Sequence, residues 1–551
     1  MTKNKSFIKS GGSLLVDSLS ANQAKHIFIV PGESFLGALD AFLDRKDEIK
    51  IVNARHEAGA SNMAEAYGKL TGEPGLAYVT RGPGACHASV GVHIAFQDST
   101  PMVLIVGDVS KKFRDREAFQ EVDFRSFFRP ISKWVAEIND PDRVPEYVNR
   151  AFSLATSGRP GPVVLVTPED MLTENTKVKV PSFSPIIKGE MSSIGLNAVR
   201  EKLENAKKPL FIIGGSGWTN NSISSFHKFI NENNIPVTTS FRRQDLFDHK
   251  DDNFVGSFGT SVSPKLVSSV ASSDLIIVLG ARLGEMTTQG YSIISPQGKA
   301  KNMVHIHVDP NELNKVYNAE VCINVSVEEC CKGLKDLRIE KSRSWQVWRS
   351  QLRKKYLEDI KPLKSRNFNN LSRIFEIVEK NLPDNSIVTL DAGNNAAWPQ
   401  RFLSYGRYRR QIATTCGSMG YAIPAAVSSA LLCPEKTVLC CVGDGGFMMS
   451  SQEISTAVHY GTKIIILLIN NSSYGTIRMH QERDYPGRKI ATDLKNPDFV
   501  KLCRAMGSVA YRVDGLKEFS LIFSKALKSK KVNVIEIPIS INQLSHRHNL
   551  K

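Results

Sequence analysis

The sequence of 551 residues has no long hydrophobic run and no cysteine pair with metal or redox spacing. No apolar stretch approaches the roughly 18 residues that a membrane-spanning helix needs. The first residues, MTKNKSFIKSGG, lack the apolar core of a signal peptide, so we expect no export. The nine cysteines include no C-x-x-C, which predicts buried thiols in a reducing cytoplasm.

A basic stripe interleaved with aromatic residues is also missing. The formal net charge is +16, but the lysines and arginines are scattered along the chain. This pattern favours a solvated surface over a nucleic-acid site. We therefore expect neither a nucleic-acid nor a membrane partner. The composition, 41% hydrophobic and 23% charged, indicates a globular protein with length for about three domains.

Short apolar runs alternate with helical patterns along the whole chain. This alternation predicts three successive doubly wound α/β domains with parallel sheets, at 1–180, 190–340 and 360–551. A linker is expected near 175–190. The predicted strands are His26–Val30, Ile49–Asn53, Leu76–Thr80, Met102–Gly107, Val163–Thr167, Leu210–Ile213, Leu275–Gly280, Val304–Val308, Ile387–Leu390, Thr437–Val442 and Lys463–Ile469.

Two neighbouring strands of the third domain end in polar and glycine residues. The first is followed by GDGG at 443–446 and the second by two asparagines at 470–471. Because parallel strands end at one edge of a sheet, these residues should lie together. Mg²⁺ prefers such oxygen ligands, and glycines let a backbone approach a phosphate closely. The pattern predicts a metal-bound diphosphate on Gly443, Asp444, Gly445, Gly446 and Asn471, with the backbone carbonyl of Ser473 as a further metal ligand.

The order strand, GDGG, helix, strand, NN resembles the thiamine diphosphate motif of the enzymes that include acetolactate synthase, pyruvate oxidase and pyruvate decarboxylase. The resemblance covers nearly the whole chain. It implies pyrimidine-binding, central and diphosphate-binding domains, with thiamine diphosphate and Mg²⁺ as cofactors. It also implies an active site made by two subunits, hence a homodimer or homotetramer. A small regulatory subunit is a further partner that it suggests.

The resemblance assigns roles to individual residues. Glu57, in the run RHEAGA, would bond the aminopyrimidine ring of the cofactor and relay its proton. A backbone carbonyl at Gly417 would accept from the same ring, and Met419 would hold the cofactor in a bent shape. Asn394 and Asn395 would contact the diphosphate.

Six further residues are candidates for the substrate pocket. They lie in segments that resemble the family's pocket loops or directly after the NN motif, and they are Glu33, His87, Phe119, Gln120, Tyr474 and Ile477. An aliphatic residue at 477, where pyruvate decarboxylases carry a glutamate, favours carboligation over release of an aldehyde.

The resemblance therefore implies decarboxylation of a small-molecule 2-oxo acid, with pyruvate as the leading candidate, and its ligation to a second carbonyl compound. This is acetolactate synthase-like chemistry of branched-chain amino acid biosynthesis. Departures at Glu33, Glu169 and Tyr474 keep another 2-oxo acid decarboxylase, or an acyloin or acyl-CoA lyase, open. The central domain could hold FAD, an ADP-like ligand or nothing, because GARLGE at 280–285 replaces a flavin motif.

Overall fold

A computed structural model of the chain describes residues 8–182, 184, 186–296, 302–363, 371–406, 410–543 and 545–547. Residues 183 and 185 of the predicted linker lie outside this part. Each predicted domain contains one six-stranded sheet whose strands are all parallel, with helices around it. The predicted fold class is thereby confirmed. Within the described residues, no helix has both the length and the apolar content needed to cross a membrane.

Contacts between Cα atoms divide the chain into two compact units. The first contains Met1–Ile186 together with Val427–Leu432 and Ser450–Tyr460. The second contains Ile187–Ala426, Cys433–Met449 and Gly461–Lys551. The third sequence domain thus contributes two helical segments to the first unit. The predicted boundaries of the three domains stay a prediction.

The first sheet has the strand order β3-β2-β4-β5-β7-β6, and a small antiparallel pair, β1 with β8, lies beside it. Its strands consist of continuous apolar runs because both faces are covered by helices. In chain order the elements are β1 Lys9–Ser10, α1 Gly11–Ala21, β2 His26–Ile29, α2 Leu36–Leu43, β3 Lys50–Asn53, α3 Glu57–Thr71, β4 Gly75–Val79, α4 Pro83–Asp98, β5 Met102–Asp108, α5 Phe124–Phe128, β6 Trp134–Glu137, α6 Val144–Thr156, β7 Pro162–Pro168, α7 Glu169–Thr173 and β8 Asn175–Thr176.

The second sheet has the order β11-β10-β9-β12-β13-β14. Its order reverses between β9 and β12, as is usual in doubly wound folds. The elements are α8 Ser193–Asn205, β9 Pro209–Ile213, α9 Asn220–Asn233, β10 Val237–Thr239, β11 Phe254–Ser257, α10 Pro264–Ser272, β12 Leu275–Leu279, α11 Glu285–Thr288, β13 Met303–His307, β14 Val321–Asn324, α12 Val327–Leu334 and α13 Gln346–Asp359.

The third sheet has the order β16-β15-β17-β18-β20-β19, so the ends of β15, β17 and β18 are neighbours. The elements are α14 Leu371–Asn381, β15 Ile387–Leu390, α15 Ala397–Phe402, β16 Arg410–Ala413, α16 Ala422–Leu432, β17 Val438–Gly443, α17 Asp444–Ser450, α18 Glu453–His459, β18 Ile464–Asn470, α19 Gly475–Asp484, α20 Phe499–Ala505, β19 Val509–Arg512, α21 Leu516–Lys528 and β20 Asn533–Pro538.

Candidate active site

Glu57 is the first residue of α3, in the first compact unit. His56 caps the helix, because its Nδ1 accepts the N–H of Ala58 at 3.1 Å. An acidic side chain in the first turn is favoured by the positive end of the helix dipole. The chain therefore places a largely buried carboxylate at the end of β3, at the carboxyl edge of the first sheet.

His87 lies beside this carboxylate. Its Nδ1 is 2.9 Å from Oε2 of Glu57, and its ring centre is 4.5 Å from that of His56. His56, Glu57 and His87 each bring one nitrogen or oxygen within 4.8 Å of the others. The sequence suggested that His87 faces a pocket, but it gave no sign that this imidazole bonds Glu57. The contact joins α4 to α3 and depends on the tertiary fold.

Glu453, which the sequence reasoning missed, fixes the loop before Glu57. Its Oε1 accepts the backbone N–H groups of Arg55 and His56, both at 3.1 Å, and its Oε2 accepts the hydroxyl of Thr456 at 2.7 Å. Glu453 is fully buried, and burial raises the pKa of its carboxyl to about 7. A Cβ on Gly59 would overlap this carboxylate. The start of α3 is thus held by α18, within the same compact unit.

The turn at 82–84 packs closely on the loop that precedes α5. Gly82 has a φ of +50°, and a Cβ there would lie 2.8 Å from Cβ of Gln120. Gln120 itself has a left-handed φ of +68°. Its neighbour Phe119 is 72% exposed. Of these two pocket candidates, Gln120 therefore lies against the glycine turn and Phe119 points to the surface.

The second compact unit carries the GDGG and NN motifs. Asp444 follows β17, and its Oδ2 accepts from Nδ2 of Asn496 at 2.7 Å. The same Asn496 amide lies 3.0 Å from Oδ1 of Asn470. Burial raises the pKa of the Asp444 carboxyl, and bonds from Asn496 and from the Gly445 backbone lower it. The sequence did not identify Asn496, which lies in a loop after α19.

The chain after Asn471 folds into a tight turn. Oδ1 of Asn471 accepts the N–H of Ser473 at 3.1 Å, and the residue between them, Ser472, has a φ of +53°. The Ser473 carbonyl accepts the N–H of Gly475 at 2.8 Å and keeps a second lone pair. The Ser473 hydroxyl donates to the carbonyl of Thr492 at 2.8 Å. Asn471 and the Ser473 carbonyl thereby flank the end of β18, beside the end of β17.

The two asparagines after β15 serve different contacts. The Asn395 side chain donates to the carbonyl of Ala392 and accepts the N–H of Gly443, each at 3.0 Å. Asn395 therefore joins the ends of β15 and β17. The Asn394 N–H donates to Oγ1 of Thr476 on α19 at 2.9 Å. Their predicted contact with a diphosphate stays a prediction.

Asp391 organises the segment that contains Gly417 and Met419. Its two oxygens accept the N–H groups of Gly420 at 3.1 Å and Ala422 at 3.0 Å. Burial raises the pKa of this carboxyl to about 6. Gly417 has a φ of +71° and open space around it, and Met419 is partly exposed. The segment presents a backbone carbonyl and a thioether side chain at this sheet edge.

Gly445 packs against Tyr474, a pocket candidate, and against Met419, which the resemblance assigns to the cofactor. A Cβ on Gly445 would lie 2.7 Å from Cε1 of Tyr474 and 3.3 Å from Cε of Met419. A Cβ on Gly446 would overlap the Asp391 carboxylate. Gly445 and Gly446, the last two of the three glycines in the motif, therefore lie where a larger side chain would clash. Tyr474 stands close to the glycine turn, and Ile477 is exposed on the first turn of α19.

These donors suit a magnesium-bound diphosphate. Asp444, Asn471 and the Ser473 carbonyl supply hard oxygens at one sheet edge, which is the donor chemistry that Mg²⁺ takes. The groups that bond Asp444 are neutral amides, so a cation would stabilise its ionised form. Gly445 leaves the backbone free for a close approach. The arrangement of the side chains is consistent with the sequence hypothesis.

Comparison with known proteins matches every domain to one family. Residues 9–127 match the thiamine pyrophosphate enzyme N-terminal TPP binding domain, 196–334 its central domain, and 391–537 its C-terminal TPP binding domain. The chain is 31% identical to the acetolactate synthase large subunit of Buchnera aphidicola subsp. Schizaphis graminum, over 98% of this chain and 96% of that protein. The chain belongs to the thiamine pyrophosphate enzymes. Its prediction as a thiamine diphosphate-dependent enzyme of the acetolactate synthase type is confirmed.

Further relatives carry the same name. The large subunit from Haemophilus influenzae is 30% identical, over 98% of this chain and 95% of that protein. The acetolactate synthase isozyme 3 large subunit from Escherichia coli K12 is 29% identical, over 98% of this chain and 96% of that protein. Thiamine diphosphate is therefore the cofactor of this enzyme. Mg²⁺, FAD in the central domain and the individual site residues stay predictions.

Proposed function

We propose that this thiamine diphosphate enzyme decarboxylates pyruvate and joins the remaining two-carbon unit to a second carbonyl compound. With pyruvate as the acceptor, two pyruvates give one acetolactate and one carbon dioxide. The bond between C1 and C2 of the donor breaks, and its electron pair forms the new carbon–carbon bond. The acceptor carbonyl oxygen takes up a proton. Thiamine diphosphate supplies the carbanion that adds to the keto carbon and the ring that holds the electron pair.

The observation that carries the proposal is the placement of Glu57. Its carboxylate is mostly buried, starts a helix and is bonded by His87. A carboxylate that relays a proton needs a fixed position and a protected site. We assign to Glu57 the proton transfer with the aminopyrimidine, and to His87 the positioning of Glu57. In the second unit, Asp444, Asn471 and the Ser473 carbonyl would hold Mg²⁺ and the diphosphate.

Ile477 supports ligation over aldehyde release. It lies on the first turn of α19, three residues after Tyr474, and it is exposed. An aliphatic side chain neither donates nor accepts a proton. Ile477 would keep water and proton donors away from the reacting carbon, so that this carbon reacts with the second carbonyl compound.

The enzyme is proposed to act as a homodimer or homotetramer in which one copy supplies Glu57 and another supplies Asp444. The relatives are named large subunits, which also suggests a smaller regulatory partner for this chain. Light scattering should give the mass of a dimer or a tetramer for the fractions of the purified chain that are active. A fully active monomer would contradict this part of the proposal.

A panel of 2-oxo acids, supplied with thiamine diphosphate and Mg²⁺, tests the function. Pyruvate should release carbon dioxide and yield acetolactate, identified by mass. The Glu57→Gln variant should lose both products and keep its fold, as judged by circular dichroism. Normal turnover in that variant would remove Glu57 from the reaction.

A further inference from the structure

Three charged side chains from separate strand ends meet at the carboxyl edge of the first sheet. Glu33 follows β2, Arg81 follows β4, and Glu169 follows β7. Nη2 of Arg81 lies 2.7 Å from Oε1 of Glu33, and its Nη1 lies 3.1 Å from Oε2 of Glu169. Residues far apart in the sequence thus form one cluster with two carboxylates and one guanidinium.

The members of the cluster differ in exposure. The Arg81 side chain is only 9% exposed, and its Nε is buried without a hydrogen-bond partner among the described residues. The Glu33 side chain is 65% exposed. Its Oε1 takes the bond from Arg81, and Oε2 meets no donor in the part of the chain that the structure describes. Arg81 is therefore an anchor that holds Glu33 with one carboxylate oxygen free.

Thr80 lies between the cluster and Glu57. A Cβ on Gly32, the residue before Glu33, would overlap the Thr80 side chain. On the other side of Thr80, a Cβ on Gly84 would lie 2.9 Å from its Cγ2 and 3.5 Å from Oε1 of Glu57. One threonine thus separates the Glu33 loop from the glycine beside Glu57.

This placement has consequences for the substrate. With two carboxylates against one guanidinium, the cluster carries a net negative charge. An apolar group placed over it would remove water from Glu33 without replacing the lost hydrogen bonds, which is unfavourable. A hydroxyl group would donate to the free oxygen of Glu33 in a bond to a charged acceptor. A second anionic group would be repelled.

We propose that Glu33, positioned by Arg81, selects donor 2-oxo acids that carry a hydroxyl on the carbon next to the keto group over those that carry a methyl there. This inference rests on the proposed decarboxylation. Glu33 is its specificity-determining residue, and Arg81 is a positioning residue.

Two substrates of equal size test the proposal. Hydroxypyruvate and 2-oxobutyrate differ only in a hydroxyl in place of a methyl. Because a hydrogen bond to a charged group is among the stronger ones, kcat/KM for carbon dioxide release should favour hydroxypyruvate by about 10- to 100-fold. An equal or greater value for 2-oxobutyrate overturns the inference, and pyruvate turnover in the same assay shows that the proposed function survives. Loss of carbon dioxide release from all three acids overturns both.

Ligand binding and two variants test the role of Glu33 further. Glycerate and 2-hydroxybutyrate are non-reacting counterparts, and calorimetry on the protein with thiamine diphosphate and Mg²⁺ should show tighter binding of glycerate. In Glu33→Met, the kcat/KM preference for hydroxypyruvate and the binding preference for glycerate should each fall to within about threefold. Glu146→Met, which removes an exposed carboxylate on α6 that is paired with Arg143, should keep the wild-type preference. An unchanged preference in Glu33→Met overturns the role of Glu33.

Discussion

Nδ1 of His87 lies 2.9 Å from Oε2 of Glu57, so an imidazole holds one oxygen of the carboxylate that the resemblance marks as catalytic. Glu57 starts α3 and His87 lies in the second turn of α4. The two helices pack against each other in the first compact unit. The orientation of Glu57 therefore depends on a residue 30 positions away in the chain.

Removing this imidazole should impair catalysis without unfolding the enzyme. In His87→Ala, Glu57 loses a bond to a charged acceptor, so we expect kcat to fall about 10- to 100-fold. Steady-state kinetics with saturating cofactor measures the change. His93→Ala is the matched control, because His93 is exposed on the same helix. Equal kcat values for both variants would exclude a role for His87.

The pair shows why part of the site was hidden in the sequence. Glu57 and the GDGG and NN motifs are local patterns at strand ends, so their sheet edges could be predicted. The bond of His87 to Glu57 and the contacts of Asn496 depend on tertiary packing and leave no local pattern. The same holds for Glu453, which belongs to the third sequence domain and yet bonds the loop before Glu57.

The fold shows a similar division. Every predicted strand is present within one or two residues of its expected ends, because these strands are continuous apolar runs between helical patterns. Strands such as Trp134–Glu137 and Val321–Asn324 were not predicted. They lie at sheet edges, where one side is less covered and polar residues interrupt the apolar pattern.

Stability should depend on pH through Glu453. Burial raises the pKa of this carboxyl from 4.5 to about 7 in the folded protein. The folded state therefore binds the Glu453 proton more tightly than the unfolded chain does. This difference stabilises the folded state fully below pH 4.5, and the stabilisation is lost as the pH rises through about 7. Glutamine cannot lose a proton, so Glu453→Gln should not be destabilised as the pH rises. The Tm of Glu453→Gln should therefore rise relative to the wild-type Tm between pH 4.5 and about 7.

The matched control for this measurement is Glu146→Gln. Glu146 is exposed, and the bond from Arg143 lowers the pKa of its carboxyl, so Glu146 titrates below the pH range over which Glu453 loses its proton. Thermal unfolding followed by circular dichroism at several pH values compares the three proteins. If Tm changes with pH in the same way for the wild type and Glu453→Gln, Glu453 is not the group that makes stability depend on pH.

Metal binding should be sensitive to Asn496. This amide bonds both Asp444 and Asn470, and partners that orient a metal ligand are typically worth about 10- to 100-fold in affinity. Asn496→Ala should weaken Mg²⁺-dependent binding of thiamine diphosphate by that factor, measured by calorimetry. Asn542→Ala, in the exposed turn after β20, serves as the control. An unchanged affinity in Asn496→Ala would argue against a metal at Asp444.

The contact between Gly445 and Tyr474 predicts a compensating pair of mutations. In Gly445→Ala the new Cβ would lie 2.7 Å from the Tyr474 ring, so the ring must move and cofactor affinity should fall. Adding Tyr474→Ala removes the clash and should restore much of that affinity. A double-mutant cycle on the cofactor Kd measures the coupling, expected at about 0.5–3 kcal/mol for residues in contact. Strict additivity would contradict the contact.

We expect this enzyme to use thiamine diphosphate to join two molecules of pyruvate. The most direct measurement is ¹³C NMR of labelled pyruvate incubated with the chain, thiamine diphosphate and Mg²⁺. We predict acetolactate and carbon dioxide in about equal amounts, and neither product from Glu57→Gln. Acetaldehyde in place of acetolactate, or no carbon dioxide at all, would contradict the account.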